Sequence, residues 1–377
     1  MKTLRIFLVW EGRATTVANS NIWLRNIYDS LVKQGHDVFL FDIQAYAKEV
    51  GLPPDHRSAR DRLTSNLPNI FLTEHKKKAF NIFFSYLHIK QILPEAIKEI
   101  KKHIFTINYT TNFHQFNLYE ELATIYHLNI YISKIAGESF ESIGARSYWM
   151  PFAANLEFYK PSNKIKNNNI VFVGSMYGIR PNYLWRVLQS GLNLHIYGPG
   201  WNYSTLRTLY RKGKHALFIF KSHRDSVIES ENILRKLTVD TIARDYPMQI
   251  HGPLSDAEYV HCLSDSLIVI NIQESRFQHN YMNNNVLHGI NLRDFETTMS
   301  GSFLCTQYSD EVQYFFEDGK EVITFQNDFD LIEKLRYYSQ RPNLCEKIAL
   351  AGHKRALSDH TWQNRFEKLF SDNVKDF

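Results

Sequence analysis

Short, largely apolar runs recur along this chain, and stretches with helical spacing fall between them. In the first half they are Leu4–Trp10, Phe80–Tyr86, Ile104–Asn108 and Leu128–Ser133. In the second they are Asn169–Gly174, Leu192–Tyr197, Leu267–Ile272 and Ser302–Thr306. A strand solvated on one face alternates apolar and polar residues, whereas a strand covered on both faces reads as a continuous apolar run. Runs of this kind separated by helices predict an α/β chain built on parallel sheets.

The 377 residues suffice for two domains of ordinary size. A formal charge of +5 suits anionic small molecules or a weak peripheral membrane contact and does not demand nucleic acid. Lys76-Lys77-Lys78 reads as a solvated face, with acidic lipid heads as the other reading. Cys262, Cys305 and Cys345 have neither disulfide-framework nor metal-ligand spacing, which points to a reducing compartment. Met1–Trp10 is too short for a signal peptide, and no apolar run reaches the length of a membrane span. A cytoplasmic location is expected, and the oligomeric state stays open.

In the first half, Leu4–Trp10 exits into Glu11-Gly12-Arg13. Ser20 or Asn21 can cap a helix carrying Trp23, Ile27 and Leu31, which Gly35 ends. His36–Asp42 is the next strand, and the first strand has no G-x-G-x-x-G after it, against a dinucleotide cofactor there. Gly51–Pro68 reads as a polar loop over a cleft. Asn108–Asn117 is polar and aromatic and follows a strand, at the edge where α/β domains bind ligands. His114 in it is a candidate general base, or one of 16 histidines on a surface loop; Glu11 is the rival base.

Two prolines bracket the crossing from Pro151 to Pro161. Beyond it, Gly174-Ser175 opens the exit loop of the next strand, and Arg180 stands near a helix start. Glycine lets a backbone approach phosphate, and Arg180 is expected to hold a diphosphate, with a structural ion pair as the alternative. Gly198-Pro199-Gly200-Trp201 is a turn able to border a base. Residues 202–247 are basic with interspersed apolar residues, a partner-contacting insertion or a helical elaboration. Ser255 and Glu258 form a capping box. Asn291–Gly301 reads as a short helix ending in Gly and feeding a strand. Glu296 would face the crevice and accept hydrogen bonds from ribose hydroxyls, or be a solvated helix residue. The N–H groups from Thr297 to Gly301 would meet a diphosphate.

An ordered series of residues carries a family likeness. It runs Val173-Gly174-Ser175, Arg180, Ile196-Tyr197-Gly198, Trp201, Asn271, Asn291-Leu-Arg-Asp-Phe-Glu296, Gly301, Phe315, Glu321, Phe325, Tyr337-Tyr338, Gly352, His360-Thr361 and Arg365. From about residue 172 to 365 the chain resembles the CgeB/YkvP-like glycosyltransferases of the GT-B superfamily. The first 160 residues resemble only a generic GT-B amino-terminal domain. The resemblance implies two Rossmann-like domains facing across a cleft: residues 1–155 for the acceptor, 156–357 for the nucleotide sugar, and 358–377 as a helix returning to the first domain. His360 would help seat that return.

The likeness further implies a nucleoside-diphosphate-sugar donor, a hydroxyl acceptor and no separate cofactor. Donor-side residues would be Gly174, Ser175, Arg180, Gly198, His288, Arg293, Glu296 and Gly301. Many retaining relatives carry an earlier glutamate where this chain has His288, so inversion or retention stays undecided. Asp328-Phe329-Asp330 has a D-x-D form that can hold a divalent cation, but it precedes an apolar helical run and reads better with Asp328 as a cap. Metal independence is expected, since basic groups and helix dipoles can do the cation's work. Two competitors remain, a sugar-nucleotide 2-epimerase of the same layout and a non-catalytic sugar- or nucleotide-binding protein.

Overall fold

Every one of the eight apolar runs becomes a strand of a parallel sheet. The computed structural model describes residues 3–11, 21–53, 56–111, 113–164, 166–201, 237–273, 282–283, 286–287 and 289–374. The first sheet comprises β1 (Arg5–Trp10), β2 (Asp37–Asp42), β3 (Ile82–Ser85), β4 (Phe105–Thr110), β5 (Leu128–Tyr131) and β6 (Ser147–Trp149). Its order is β2-β1-β3-β4-β5-β6, with every pair parallel. The second sheet holds β7 (Asn167–Val173), β8 (Leu194–Tyr197), β9 (Ile250–His251) and β10 (Ser266–Asn271). After a small antiparallel hairpin of β11 (Met282–Asn283) and β12 (Val286–Leu287), β13 (Phe303–Gln307) and β14 (Ile323–Phe325) complete it. Its order is β14-β13-β10-β7-β8-β9, again all parallel.

Strand order reverses between β1 and β3 in the first sheet and between β7 and β10 in the second. Helices leave in opposite directions at such points and open a crevice at the carboxyl ends. The two sheets therefore carry one crevice each.

The first sheet is covered on both faces. Phe7, Val9 and Phe83 pack with Leu63, Leu67 and Phe71 of the Arg57–Lys77 helix. That helix corrects the reading of Gly51–Pro68 as a loop. Leu63, Leu67 and Phe71 recur every fourth residue, and burying each contributes about 2 kcal/mol. That outweighs the hydrogen bond lost at Pro68, which lies inside the helix and is buried. Lys76 and Lys77 fall in its last turn, where cations complement the carbonyl end of the dipole.

The opposite face, with Ile6, Leu8 and Phe84, is covered by Trp362, Phe366, Leu369 and Phe370 of the Trp362–Asn373 helix. The carboxyl-terminal helix thus returns to the first sheet. The two crossings between the halves lie side by side: Ala154 bridges Thr361, its N–H donating to the His360 carbonyl and its carbonyl accepting from Trp362 N–H. His360 is buried and pairs with the Phe315 carbonyl and the Arg365 guanidinium, as a residue seating the return should. Burial, reinforced by the Arg365 charge, lowers its pKa to about 4. Among the described residues no helix is long and apolar enough to cross a membrane, and the three cysteines are free.

Candidate active site

Exit segments of the two sheets meet directly. Asn21, between β1 and its helix, donates its N–H to Asp256 of the second half at 3.0 Å. Ser133 and Lys134, just past β5, donate to Glu311, just past β13. The carboxyl edges of both sheets therefore meet.

On the second half, the chain leaving β7 folds against the chain leaving β8. Gly174 N–H donates to the Tyr197 carbonyl, and the Trp201 indole donates to the Gly174 carbonyl at 2.8 Å. Trp201 is fully buried, so it braces this turn from beneath. Gly198 has φ +138°, and a Cβ there would lie 2.3 Å from the Gly174 carbonyl oxygen. Ser175 continues the exit and its carbonyl accepts from Arg180 at 3.0 Å.

Arg180 joins the chain leaving β7 to the chain leaving β10. Its Nε and Nη2 donate to the Ile272 carbonyl at 3.2 Å and its Nη1 to that of Ser175. The guanidinium is buried over Tyr177 at 4.0 Å. Its fork ties the β7 exit to the β10 exit and shapes the crevice wall.

The central helix spans Leu292–Met299, with Asn291 as its cap. Its positive end therefore lies at Leu292, at the carboxyl edge of β10, with the Asp294 N–H taken by the Asn291 cap. Thr297–Gly301 is instead its carbonyl end. Ser300 N–H bonds the Glu296 carbonyl, and Gly301 N–H bonds that of Thr298. Gly301, at φ +65°, packs against Pro161 of the crossing. The positive end of the dipole, to which the sequence reading assigned a phosphate at Thr297–Gly301, is the Leu292 end. The signal was present: Asn291 and Asp294 have capping-box spacing, which starts the helix one turn before Glu296.

Glu296 consequently does not face open solvent. It is 1% exposed, and both oxygens are taken. Tyr159 of the crossing donates to Oε1 and Tyr259 to Oε2, each at 2.5 Å. Asn26, from the first half, reaches Oε1 at 3.5 Å. Burial first, then the carboxylate's charge, raises Tyr159 well above the usual phenol range; burial does the same for Tyr259. Both hydroxyls stay protonated and donate. Arg293 lies 3.7 Å from the same carboxylate, stacks over the Tyr259 ring and donates to the Val173 carbonyl. Asn26 also accepts from the Trp362 indole and the Asn155 N–H, so both crossings, the first half and the second converge here.

Asp294 escaped the sequence reading. It is fully buried and takes four donors: Asn271 and Thr306 side chains at 2.7 and 2.6 Å, Gln273 at 3.3 Å and Asn291 N–H at 2.9 Å. Burial pushes its pKa up to about 6, against the hydrogen bonds that favour the ion. It locks the helix start to the ends of β10 and β13.

On the first half, Glu11 follows β1 and accepts from the Gln91 amide at 3.1 Å, so it stands at the β1–β3 crevice. Gln91 is buried, held by its N–H on the His88 carbonyl. His114 falls in the short 3-10 helix Phe113–Leu118, past β4. His288, Glu274 and residues 202–236 lie outside the described residues, and 237–245 is helical. Among the described residues no three His, Cys, Asp or Glu side chains group to hold a metal. In the D-x-D stretch Asn327 caps the helix rather than Asp328. Asp328 pairs with Arg186, and Asp330 with Lys334.

Several solved structures share this architecture. Sucrose-phosphate synthase from Thermosynechococcus elongatus aligns at TM-score 0.62 and 10% identity, over 98% of this chain and all of that one. A glycosyltransferase from Rickettsia africae gives 0.62 at 11%, over the whole of both chains. HepE from Anabaena, solved with UDP and glucose, gives 0.59 at 10%, over 98% and 100%. At such identities the likeness establishes the fold, which is GT-B. No curated protein matches the chain. The sequence model of the family described as glycosyl transferase-like matches residues 180–371, just over half of the chain. With that match on the half that carries the Leu292 helix, the protein belongs to the glycosyl transferase-like family and is a GT-B glycosyltransferase.

Proposed function

We propose that this chain moves a sugar from a nucleoside-diphosphate sugar to an acceptor hydroxyl, without a metal, as a CgeB/YkvP-like enzyme. The observation that carries the reading is the Leu292 helix start at the β10 carboxyl edge, held there by Asp294. Backbone N–H groups at a helix start suit a diphosphate and offset the charge that grows as it departs. In the reaction the acceptor oxygen bonds to the anomeric carbon, the carbon–phosphate-oxygen bond breaks, and the hydroxyl proton passes to a base. Glu11 is the base we favour, since Gln91 orients its carboxylate at the first crevice. Closure of the cleft excludes water. HepE was solved with UDP-glucose, so UDP-sugars come first in the test.

The test is a thermal-shift screen with UDP-, GDP-, dTDP- and CMP-sugars, because a ligand bound only to the folded state raises Tm. One family should raise Tm, and release of its nucleoside diphosphate should require an acceptor. Conversion of the donor with no acceptor would establish the epimerase instead; binding without turnover would establish a binding protein.

A further inference from the structure

Glu311 lies between the halves. It follows β13 by four residues and is buried. Its Oε1 accepts two hydrogen bonds, from the Ser133 hydroxyl and from the Lys134 backbone N–H, both at 2.7 Å. Both donors belong to the first half, just beyond β5.

The surroundings reinforce this contact. The Lys134 ammonium lies 3.5 Å from the centre of the Tyr314 ring and 4.8 Å from that of Trp149. One ring comes from each half, so the cation is clamped across the boundary. Ser133 also backs onto Gly289, where a Cβ would lie 3.5 Å from its side chain. Gly289 stands two residues before Asn291, the cap of the Leu292 helix. One serine therefore bonds the carboxylate and lies beside the segment leading to the helix start.

We propose that Glu311 is a positioning residue for transfer. Its bonds to Ser133 and Lys134 fix the first-half exit loops against the Gly289–Asn291 segment, and so fix acceptor against donor. This rests on the transfer reading above. Glu311 acts through the loops and touches no substrate. Nucleotide binding by the second half does not need the contact. Transfer does, because a small misplacement of two reactants costs orders of magnitude in rate.

The test compares Glu311→Ala, Glu311→Gln and Ser133→Ala in the full chain. Three readouts are used: steady-state transfer, calorimetric titration with UDP, and amide hydrogen exchange without ligand. Glu311→Ala should lower kcat at least tenfold and leave the Kd for UDP within twofold. Glu311→Gln keeps an oxygen able to accept both bonds and should recover most of kcat. Exchange at Lys134 should rise at least tenfold in Glu311→Ala and stay near normal in Glu311→Gln. Ser133→Ala removes one donor and leaves the carboxylate in place; it carries the same comparison should Glu311→Ala fail to fold, with a smaller loss expected. Unchanged exchange overturns the contact. Raised exchange with unchanged kcat overturns the positioning role. No transfer by the unsubstituted chain sinks the functional reading and the positioning role with it, whereas the exchange result alone reports the contact.

Discussion

A side chain on Gly198 would collide with the carbonyl of Gly174: the nearest approach, 2.3 Å, is to backbone that cannot turn aside. Gly198→Ala should therefore destabilise the second half by on the order of 3 kcal/mol, from the clash and from φ +138° together. Urea unfolding reads the change. A loss below about 0.5 kcal/mol, the scale of an ordinary surface substitution, would mean the two turns are not in contact.

Glu296→Ala should lower stability with no nucleotide present. It strands two buried tyrosine hydroxyls, and each unsatisfied group costs about 1–3 kcal/mol. Tyr159→Phe and Tyr259→Phe should each cost less, since Glu296 keeps another donor. Chemical unfolding and nucleotide titration must be run together. Unchanged stability with lost nucleotide affinity would restore the ribose role and remove the structural one.

Arg180→Lys should weaken folding by about 2 kcal/mol, since an ammonium cannot reproduce the planar fork that holds the Ser175 and Ile272 carbonyls. Nucleotide affinity should fall only modestly, through the reshaped crevice. A hundredfold loss of affinity at unchanged stability would show a direct phosphate contact.

Asp294 and His360 impose opposed pH dependences. Asp294 holds its proton up to about pH 6 when folded, against about 4 unfolded, so its contribution declines as pH rises from 4 to 6. His360 titrates near 4 when folded and near 6.5 unfolded, so its contribution is lost as pH falls through that window. Each swing is worth about 3 kcal/mol, and in the native chain they largely cancel. Asp294→Asn should leave the histidine unopposed and make the protein more acid-labile between pH 6 and 4. Unfolding free energies at pH 4.5, 5.5 and 6.5 check this; a profile parallel to the parent's would refute it.

Parallel sheets were legible because burial on both faces leaves continuous apolar runs, as in Leu4–Trp10 and Leu267–Ile272. The Arg57–Lys77 helix was hidden by Pro68 and a polar surface, since one narrow stripe, Ala59, Leu63, Leu67 and Phe71, reveals it. The crevice position of Arg180 and Glu11 followed from their place after strands. What their side chains bond to did not, because Ile272 lies 92 residues from Arg180 and Gln91 lies 80 from Glu11, and no local pattern records such pairings. The tyrosine partners of Glu296 left no local trace either, since Tyr159 and Tyr259 lie 137 and 37 residues away. Glu311 left no trace in the sequence at all: its partners Ser133 and Lys134 lie 178 and 177 residues away.

Ala154 and Thr361 lie side by side, and the last helix completes the first sheet's cover. In topological terms the second half is an insertion within the first. A ribosome making this chain would finish the inserted half before the host half has its final piece, leaving the Ile6–Leu8–Phe84 surface bare until Trp362–Phe370 emerges. Joining residue 154 to residue 361 by a short linker should yield the host half as a free-standing protein.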